Sequence, residues 1–196
     1  MKYRIQLLLL VSLLGATPSL WAAKAVLAGG CFWCMESDFE KLDGVTEVVS
    51  GFTGGELEYP TYNGNHEGHV EAVEITYDPE RLSYARLLAH FWVNIDPFDD
   101  GGQFCDRGDS YRSVIFVANA SERQLAKASK AQVEALFPDR EVVTPIRDAT
   151  RFWPIQGAES YHQDYYKKSP TRYKFYRWSC GRDERLQELW EGKTLH

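Results

Sequence analysis

Gly29-Gly30-Cys31-Phe32-Trp33-Cys34 joins two segments of different character. Before it, Ala25 to Ala28 is a short apolar run suited to a buried strand. After it, Phe32, Met35, Phe39 and Leu42 recur at helical spacing, which predicts a helix over Cys31 to Leu42. The glycines break the strand and allow a tight turn that lifts the next residue clear of the sheet. Cys31 then stands at a helix N-terminus, where free N–H groups and the helix dipole favour a thiolate, the nucleophilic form of cysteine. Phe32 and Trp33 are adjacent on the helix and do not share a face, so at least one of them points toward Cys31.

Outward from this turn, Gly44 closes the helix and Val45 to Phe52 alternates as a strand, stopped by Gly54-Gly55. Glu56 to Gly68 is a polar loop, and His69 to Tyr77 is a second alternating strand ended by Asp78-Pro79. Ser83 is placed as the N-cap of a helix through Trp92. Asn94 to Asp109 is a long loop, and loops of that length are usually functional or disordered. Ser113 to Val117 is a strand. Ser121 with Gln124 fits a capping box for a helix to about Leu136. Val142 to Ile146 is a strand, placed at an edge by Pro145. Glu159 to Lys168 is helical, and from Ser169 the chain is basic, aromatic and irregular. This rough alternation predicts a single-domain α/β (α+β) two-layer sandwich with a mixed β-sheet.

The chain has 196 residues, of which 44% are hydrophobic and 26% charged, enough to bury a core in one domain. Its net charge is −6, with no clustered basic run, which argues against nucleic-acid binding. Lys2 and Arg4 precede an apolar run from Ile5 to Leu14, and small residues follow up to Ala22 and Ala23. This is the pattern of a cleaved secretory signal over residues 1–23, too short to span a bilayer. Its removal takes two positive charges and leaves the 24–196 domain at −8. The expected product is exported, periplasmic and free of stable membrane association.

Four cysteines, Cys31, Cys34, Cys105 and Cys180, in an exported chain suggest structural disulfides. A chain of this length does not need stapling, however, and the C-x-x-C of Cys31 and Cys34 more often signals redox chemistry or metal. His66 and His69 are spaced like a metal pair, but they fall at a loop-to-strand junction and no second pair completes a zinc set. The expectation is no metal, with His69 ordering its surroundings through hydrogen bonds. His90 and His162 read as ordinary helical residues.

Gly30-Cys31-Phe32-Trp33 resembles the signature of the peptide methionine sulfoxide reductase A family. The likeness continues in order through Gly51-Phe52-Thr53-Gly54-Gly55, Pro60-Thr61-Tyr62, Gly68-His69-Val70-Glu71-Ala72-Val73, Tyr77-Asp78-Pro79, Phe91-Trp92 and Tyr111-Arg112-Ser113. It covers roughly Lys24 to Tyr166. The resemblance implies a sandwich related to the ferredoxin-like arrangement. It also implies thiol-dependent reduction of methionine S-sulfoxide, free or in proteins, through a Cys31 sulfenic acid and an intramolecular disulfide. No cofactor is implied beyond an external, thioredoxin-like thiol reductant.

The chemistry asks for particular groups. Thiolate attack on a sulfoxide sulfur needs a proton delivered to the oxygen, and a carboxylic acid kept neutral by burial supplies one. Pattern alone leaves Glu71 equally open to a solvent-facing place on its strand, and the resemblance assigns it as the acid. It also assigns Tyr62 and Tyr111 to the sulfoxide oxygen, Asp106 to orienting the site, and Phe32 and Trp33 to the pocket for the substrate methyl group. Arg107 and Cys105 depart from residues common in the family. Sulfenic acids condense with nearby thiols. Cys180 is placed first as the resolving cysteine, in a tail expected to be mobile, followed by Cys34 and then Cys105. Cys34 is i, i+3 from Cys31, about 5–6 Å apart at Cβ, more than a disulfide allows without distortion. The competing reading is a thioredoxin-like thiol–disulfide oxidoreductase using Cys31 and Cys34, with Thr144-Pro145 as its active-site proline. A non-enzymatic zinc-binding or disulfide-stapled domain is a third.

Overall fold

The computed structural model describes residues 22–195. The expected leader lies outside the described residues. Six strands form one sheet: β1 (Ala23–Ala28), β2 (Val45–Thr53), β3 (Val70–Tyr77), β6 (Val114–Val117), β7 (Ile146–Asp148) and β8 (Trp153–Pro154). Their order is β7-β6-β1-β3-β2-β8, antiparallel throughout except for the parallel β6–β7 edge. The sheet is therefore mixed, as expected. A small hairpin of β4 (Gly102–Gln103) and β5 (Asp106–Arg107) stands apart from it. Helix α1 (Phe32–Phe39) links β1 to β2, and α2 (Tyr84–Trp92) lies between β3 and the hairpin. Helix α3 (Ala120–Leu136) follows β6, and α4 (Tyr165–Lys168), α5 (Pro170–Ser179) and α6 (Arg182–Trp190) complete the chain.

The period of two along the strands decides what the sheet buries. Ala25 and Leu27 of β1, with Val73 and Ile75 of β3, face the helices and join the main core. There Phe32, Met35 and Phe39 of α1, Leu87, Leu88 and Phe91 of α2, and Leu186, Leu189 and Trp190 of α6 meet them. Each such side chain contributes about 1.5–3 kcal/mol on burial. Ala28, Val70, Ala72, Val114 and Phe116 form a smaller cluster on the opposite face. Glu71 lies between Val70 and Ala72 and shares the parity of Val73, Ile75 and Tyr77. The pleat thus turns it into the helix layer, where it is 3% exposed.

Several elements differ from the sequence reading. Helix α3 is capped by Asn119, whose side chain accepts from the Glu122 N–H while Glu122 reaches back to the Ala118 N–H. The capping box is Asn119–Glu122, two residues before Ser121. The edge strand begins at Ile146 rather than Val142, because Pro145 has no N–H to pair and the Val143 N–H is already spent on the Pro97 carbonyl. The segment from Glu159 is a 3₁₀ turn over Gly157–His162 followed by the four residues of α4, broken at Asp164 in the left-handed region (φ 56°). The chain after Ser169 is not an irregular tail. Pro170 opens α5 at a position where its missing N–H costs nothing, and Gly181, at φ 67°, turns the chain directly into α6. No helix among the described residues is long and apolar enough to cross a membrane.

Candidate active site

The β1–α1 turn is dense. Gly30 takes φ 83°, and a Cβ there would stand 2.6 Å from Gln103 Cβ. One at Gly29 would stand 2.5 Å from Met35 Sδ. Glycine is thus required twice over, by backbone angle and by space. Cys31 is the N-cap of α1, with its carbonyl accepting from the N–H groups of Cys34 and Met35. β1 runs antiparallel to β3 with Leu27 opposite Val73, so two residues further on the turn reaches the level of Glu71. There the Phe32 N–H, the first of the helix, donates to Glu71 Oε2 at 3.0 Å.

Glu71 is therefore held against the turn that carries Cys31. Burial pushes its carboxyl up to about 8; the Phe32 N–H and the Tyr111 hydroxyl oppose this, and the charge of Asp106 adds to it. At neutral pH Glu71 keeps its proton, as a general acid must. Tyr111 closes the 3₁₀ turn Asp109–Tyr111, and burial pushes its phenol above the usual range. Tyr62 is pushed up to about 12 by burial and by Glu71, so both tyrosines remain proton donors. The Tyr62 loop is tied down by Glu159, which accepts from the N–H groups of Tyr62 and Asn63, each at 2.8 Å. Asp106 is half-buried in β5, raised by burial, and receives the Tyr176 hydroxyl.

The four groups expected around Cys31, namely Glu71, Tyr62, Tyr111 and Asp106, come together. The two pocket aromatics part company. Phe32 is fully buried beneath Tyr62 and His162, with ring centroids at 5.9 and 5.5 Å, and serves as a floor. Trp33 is half-buried, stacked on Tyr165 at 3.9 Å and against His162 at 5.4 Å, with Tyr176 at its edge at 5.6 Å.

The cysteines fall into two pairs. Cys31 and Cys34 are free and buried, and they pack together with Tyr173. Burial, Cys34 and Glu71 push the Cys31 thiol up, so the helix N-terminus alone does not make it a thiolate in the empty site. Cys34 is held at about 7, first by its hydrogen bond with Cys31, with Arg182 and Arg177 also favouring the charge. The two sulfurs thus titrate as a coupled pair, with burial opposing a charge on Cys31 and its hydrogen bond to Cys34, with Arg182 and Arg177, favouring one on Cys34. Cys105 and Cys180 form a disulfide, Cα–Cα 4.9 Å. The placing of Cys180 first as resolving cysteine rested on a mobile tail. That premise is corrected, because Cys180 caps α5 and its sulfur is bonded to Cys105.

Several contributors had no signal in the sequence. His162 is buried, accepts from Trp33 Nε1 at 2.9 Å and lies 4.0 Å from the Tyr62 ring, far from an ordinary helical role. Arg182 is fully buried behind the turn, donating to the Asn94 carbonyl at 2.6 Å and approaching the Gly29 carbonyl at 3.4 Å. Tyr176 lies in a stretch whose pattern revealed little. His66 and His69 are occupied otherwise than by metal: His66 bonds the Thr61 carbonyl, and His69 links the Gly55 N–H to the Leu57 carbonyl.

A paired dithiol under a buried, protonated carboxyl and two phenols defines a thiol-dependent reductase of an electrophilic, oxygen-bearing substrate. The profile of the family described as peptide methionine sulfoxide reductase matches residues 23–194. A Caulobacter vibrioides peptide methionine sulfoxide reductase, MsrA 2, is 47% identical over 189 residues, covering 93% of this chain and 94% of its own length. A Vibrio cholerae relative named MsrA/MsrB is 45% identical over 85% of this chain, which spans only 44% of that longer protein. Among solved structures, methionine sulfoxide reductase A of Corynebacterium diphtheriae superposes with a TM-score of 0.64 at 27% identity, over 79% of this chain and 77% of its own. The chain belongs to the peptide methionine sulfoxide reductase family.

Proposed function

We propose that this chain reduces the S epimer of methionine sulfoxide, free or in oxidised proteins, to methionine, with Cys31 as nucleophile and Glu71 as acid. The observation that carries this is the Glu71 carboxyl, protonated at neutral pH and hydrogen-bonded to the turn that presents Cys31. The substrate methyl group packs against Trp33, and the sulfoxide oxygen lies among Glu71, Tyr62 and Tyr111. As the Cys31 sulfur attacks, its proton passes to the charged Cys34 and Glu71 protonates the oxygen. In the adduct the hydroxyl passes from the methionine sulfur to the Cys31 sulfur as the bond between these two sulfurs breaks, so methionine leaves, Cys31 becomes a sulfenic acid, and Glu71 recovers its proton from the Cys34 thiol. Cys34 attacks next, giving a Cys31–Cys34 disulfide and water. An external thioredoxin-like dithiol reduces that disulfide and is itself oxidised. Cys34 takes the resolving role ahead of Cys180 because it adjoins Cys31 and is a free thiol near 7. No metal or bound cofactor enters this sequence. Purified protein with dithiothreitol is expected to convert the S epimer and leave the R epimer largely untouched. Equal turnover of both epimers, or of neither, overturns the reading.

We also propose export to the periplasm, which the Lys2–Arg4 start and the Ile5–Leu14 run support. A cut after Ala22 leaves all of β1, since pairing with β3 begins at Ala23 opposite Tyr77. Intact-mass measurement of the native protein is expected to place its first residue at Ala23 or Lys24, and a soluble cytoplasmic pool retaining Met1 refutes it. Electrons for an exported copy have to be carried across the membrane.

A further inference from the structure

The Cys105–Cys180 disulfide lies outside the chemistry just described, and its place in the fold is specific. Phe104 and Cys105 form the two-residue tip of the β4–β5 hairpin, and Asp106 follows immediately. Cys180 caps α5, its N–H bonded to the Tyr176 carbonyl one turn earlier. The same two elements are therefore joined twice. The disulfide joins them covalently, and one residue along the hairpin and one turn along the helix the Tyr176 hydroxyl donates to Asp106. Both members of this second link face the reaction. Tyr176 borders Cys31 and lies against Trp33, and Asp106 acts electrostatically on Glu71.

The two cysteine pairs also differ in access. Cys31 is 6% and Cys34 1% exposed, whereas Cys105 is exposed and Cys180 half-exposed. A cleft of about 480 Å³, lined by Cys180, Phe104, Arg140 and Arg185 among others, opens beside the disulfide. A dithiol reaches this pair without entering the active site.

On the functional reading above, we infer that Cys105 and Cys180 are positioning residues, forming a redox-sensitive clamp that holds the Asp106–Tyr176 pair against Cys31 and Glu71. Closed, the clamp fixes the end of α5 on the hairpin. A dithiol opens it by thiolate attack on one sulfur and release of the other, then closure of its own disulfide, leaving two protein thiols. The end of α5 is then held to the hairpin without a covalent link, by the hydrogen bonds from the Tyr176 hydroxyl to Asp106 and from the Cys105 N–H to Cys180 Sγ. Asp106 and Tyr176 lose their fixed geometry, and the sulfoxide step slows while Cys31 and Cys34 stay chemically intact. The groups facing Glu71 are the Phe32 N–H, Cys31 and Cys34 from the α1 turn, Tyr62 from its loop, Tyr111 from the 3₁₀ turn and Asp106 from β5. Of these, Asp106 is the one carried on the clamped hairpin.

The test is single-turnover methionine formation from the S epimer, without external thiol, by wild type, the Cys105→Ser/Cys180→Ser variant, Tyr176→Phe, and the triple combination. The double variant is expected to be slower by about tenfold, below the roughly 10²-fold that an ångström's misplacement can cost. Its decline at high pH, set by Glu71, is expected to move to lower pH as the charge of Asp106 moves away. Tyr176→Phe keeps the disulfide and is expected to shift the decline in the same direction. Adding it to the double variant is expected to move the high-pH decline little further, because both act on Glu71 through Asp106. Normal single-turnover rate and pH profile in the double variant overturn the clamp, including the case where only multiple turnovers fail, which makes the disulfide an electron relay. Additive shifts of the high-pH decline by Tyr176→Phe and the cysteine changes also overturn it. Absence of methionine from the wild-type control defeats the functional reading itself.

Discussion

Cys31→Ser is expected to abolish methionine formation, a loss on the order of 10⁶-fold, as when a covalent nucleophile is removed from an enzyme. The serine hydroxyl remains protonated, and oxygen cannot take up the sulfoxide oxygen as sulfur does. Cys34 does not substitute. It stands one turn further along α1 at 1% exposure, and the Glu71 contact is made at the Cys31–Phe32 turn. Chromatographic assay of methionine from the S epimer decides the matter. Turnover within tenfold of wild type moves the nucleophile to Cys34.

Glu71→Gln is expected to lower the single-turnover rate by about 10²–10⁴-fold, the range for loss of a general acid. Glutamine preserves the bond from the Phe32 N–H but has no proton to give. The pH profile adds a second readout. The dithiol pair gains its charge as pH rises through about 7. Glu71 loses its proton as pH rises through about 8. The rate therefore rises through the first value, peaks between the two and falls above the second, with limbs that belong to the coupled groups together. Glu71→Gln is expected to lose the falling limb while keeping the rising one. A drop under threefold with the falling limb intact transfers the acid role to a tyrosine.

The turn and the sheet were legible because their patterns are local. Gly-Gly between an apolar run and a 3.6-residue period fixes a strand, a turn and a helix within a dozen residues, and Phe32, Met35 and Phe39 pack as that period requires. Glu71 was harder. Most of His69 to Tyr77 is apolar, so alternation did not say which face was buried. The answer lay in register with β1 and β2, which is not local. Tyr62 comes from the β2–β3 loop, and Asp106 and Tyr111 from the hairpin and 3₁₀ turn between α2 and β6, so no local spacing rule could have joined them to Cys31 and Glu71. The family resemblance did, and the geometry now supplies the reason.

The C-terminal third was the least legible. Helix α5 fully buries only Tyr173 and leaves Phe175 and Trp178 exposed, so no apolar stripe marked it. With α5 and α6 unseen, Cys180 looked like a thiol on a mobile tail, and nothing linked it to Cys105, 75 residues away. Arg182 follows the same logic. A buried arginine reveals itself only through the carbonyls it meets, here from Gly29 and Asn94.

The most direct measurement is one turnover with no external thiol. Protein verified to carry two free thiols is mixed with excess S-sulfoxide, the methionine is counted, and the disulfides are mapped by mass spectrometry. The account predicts one methionine per chain, a Cys31–Cys34 disulfide and an unchanged Cys105–Cys180 pair. A chain that yields no methionine, or one whose Cys31 is found bonded to Cys180, contradicts it.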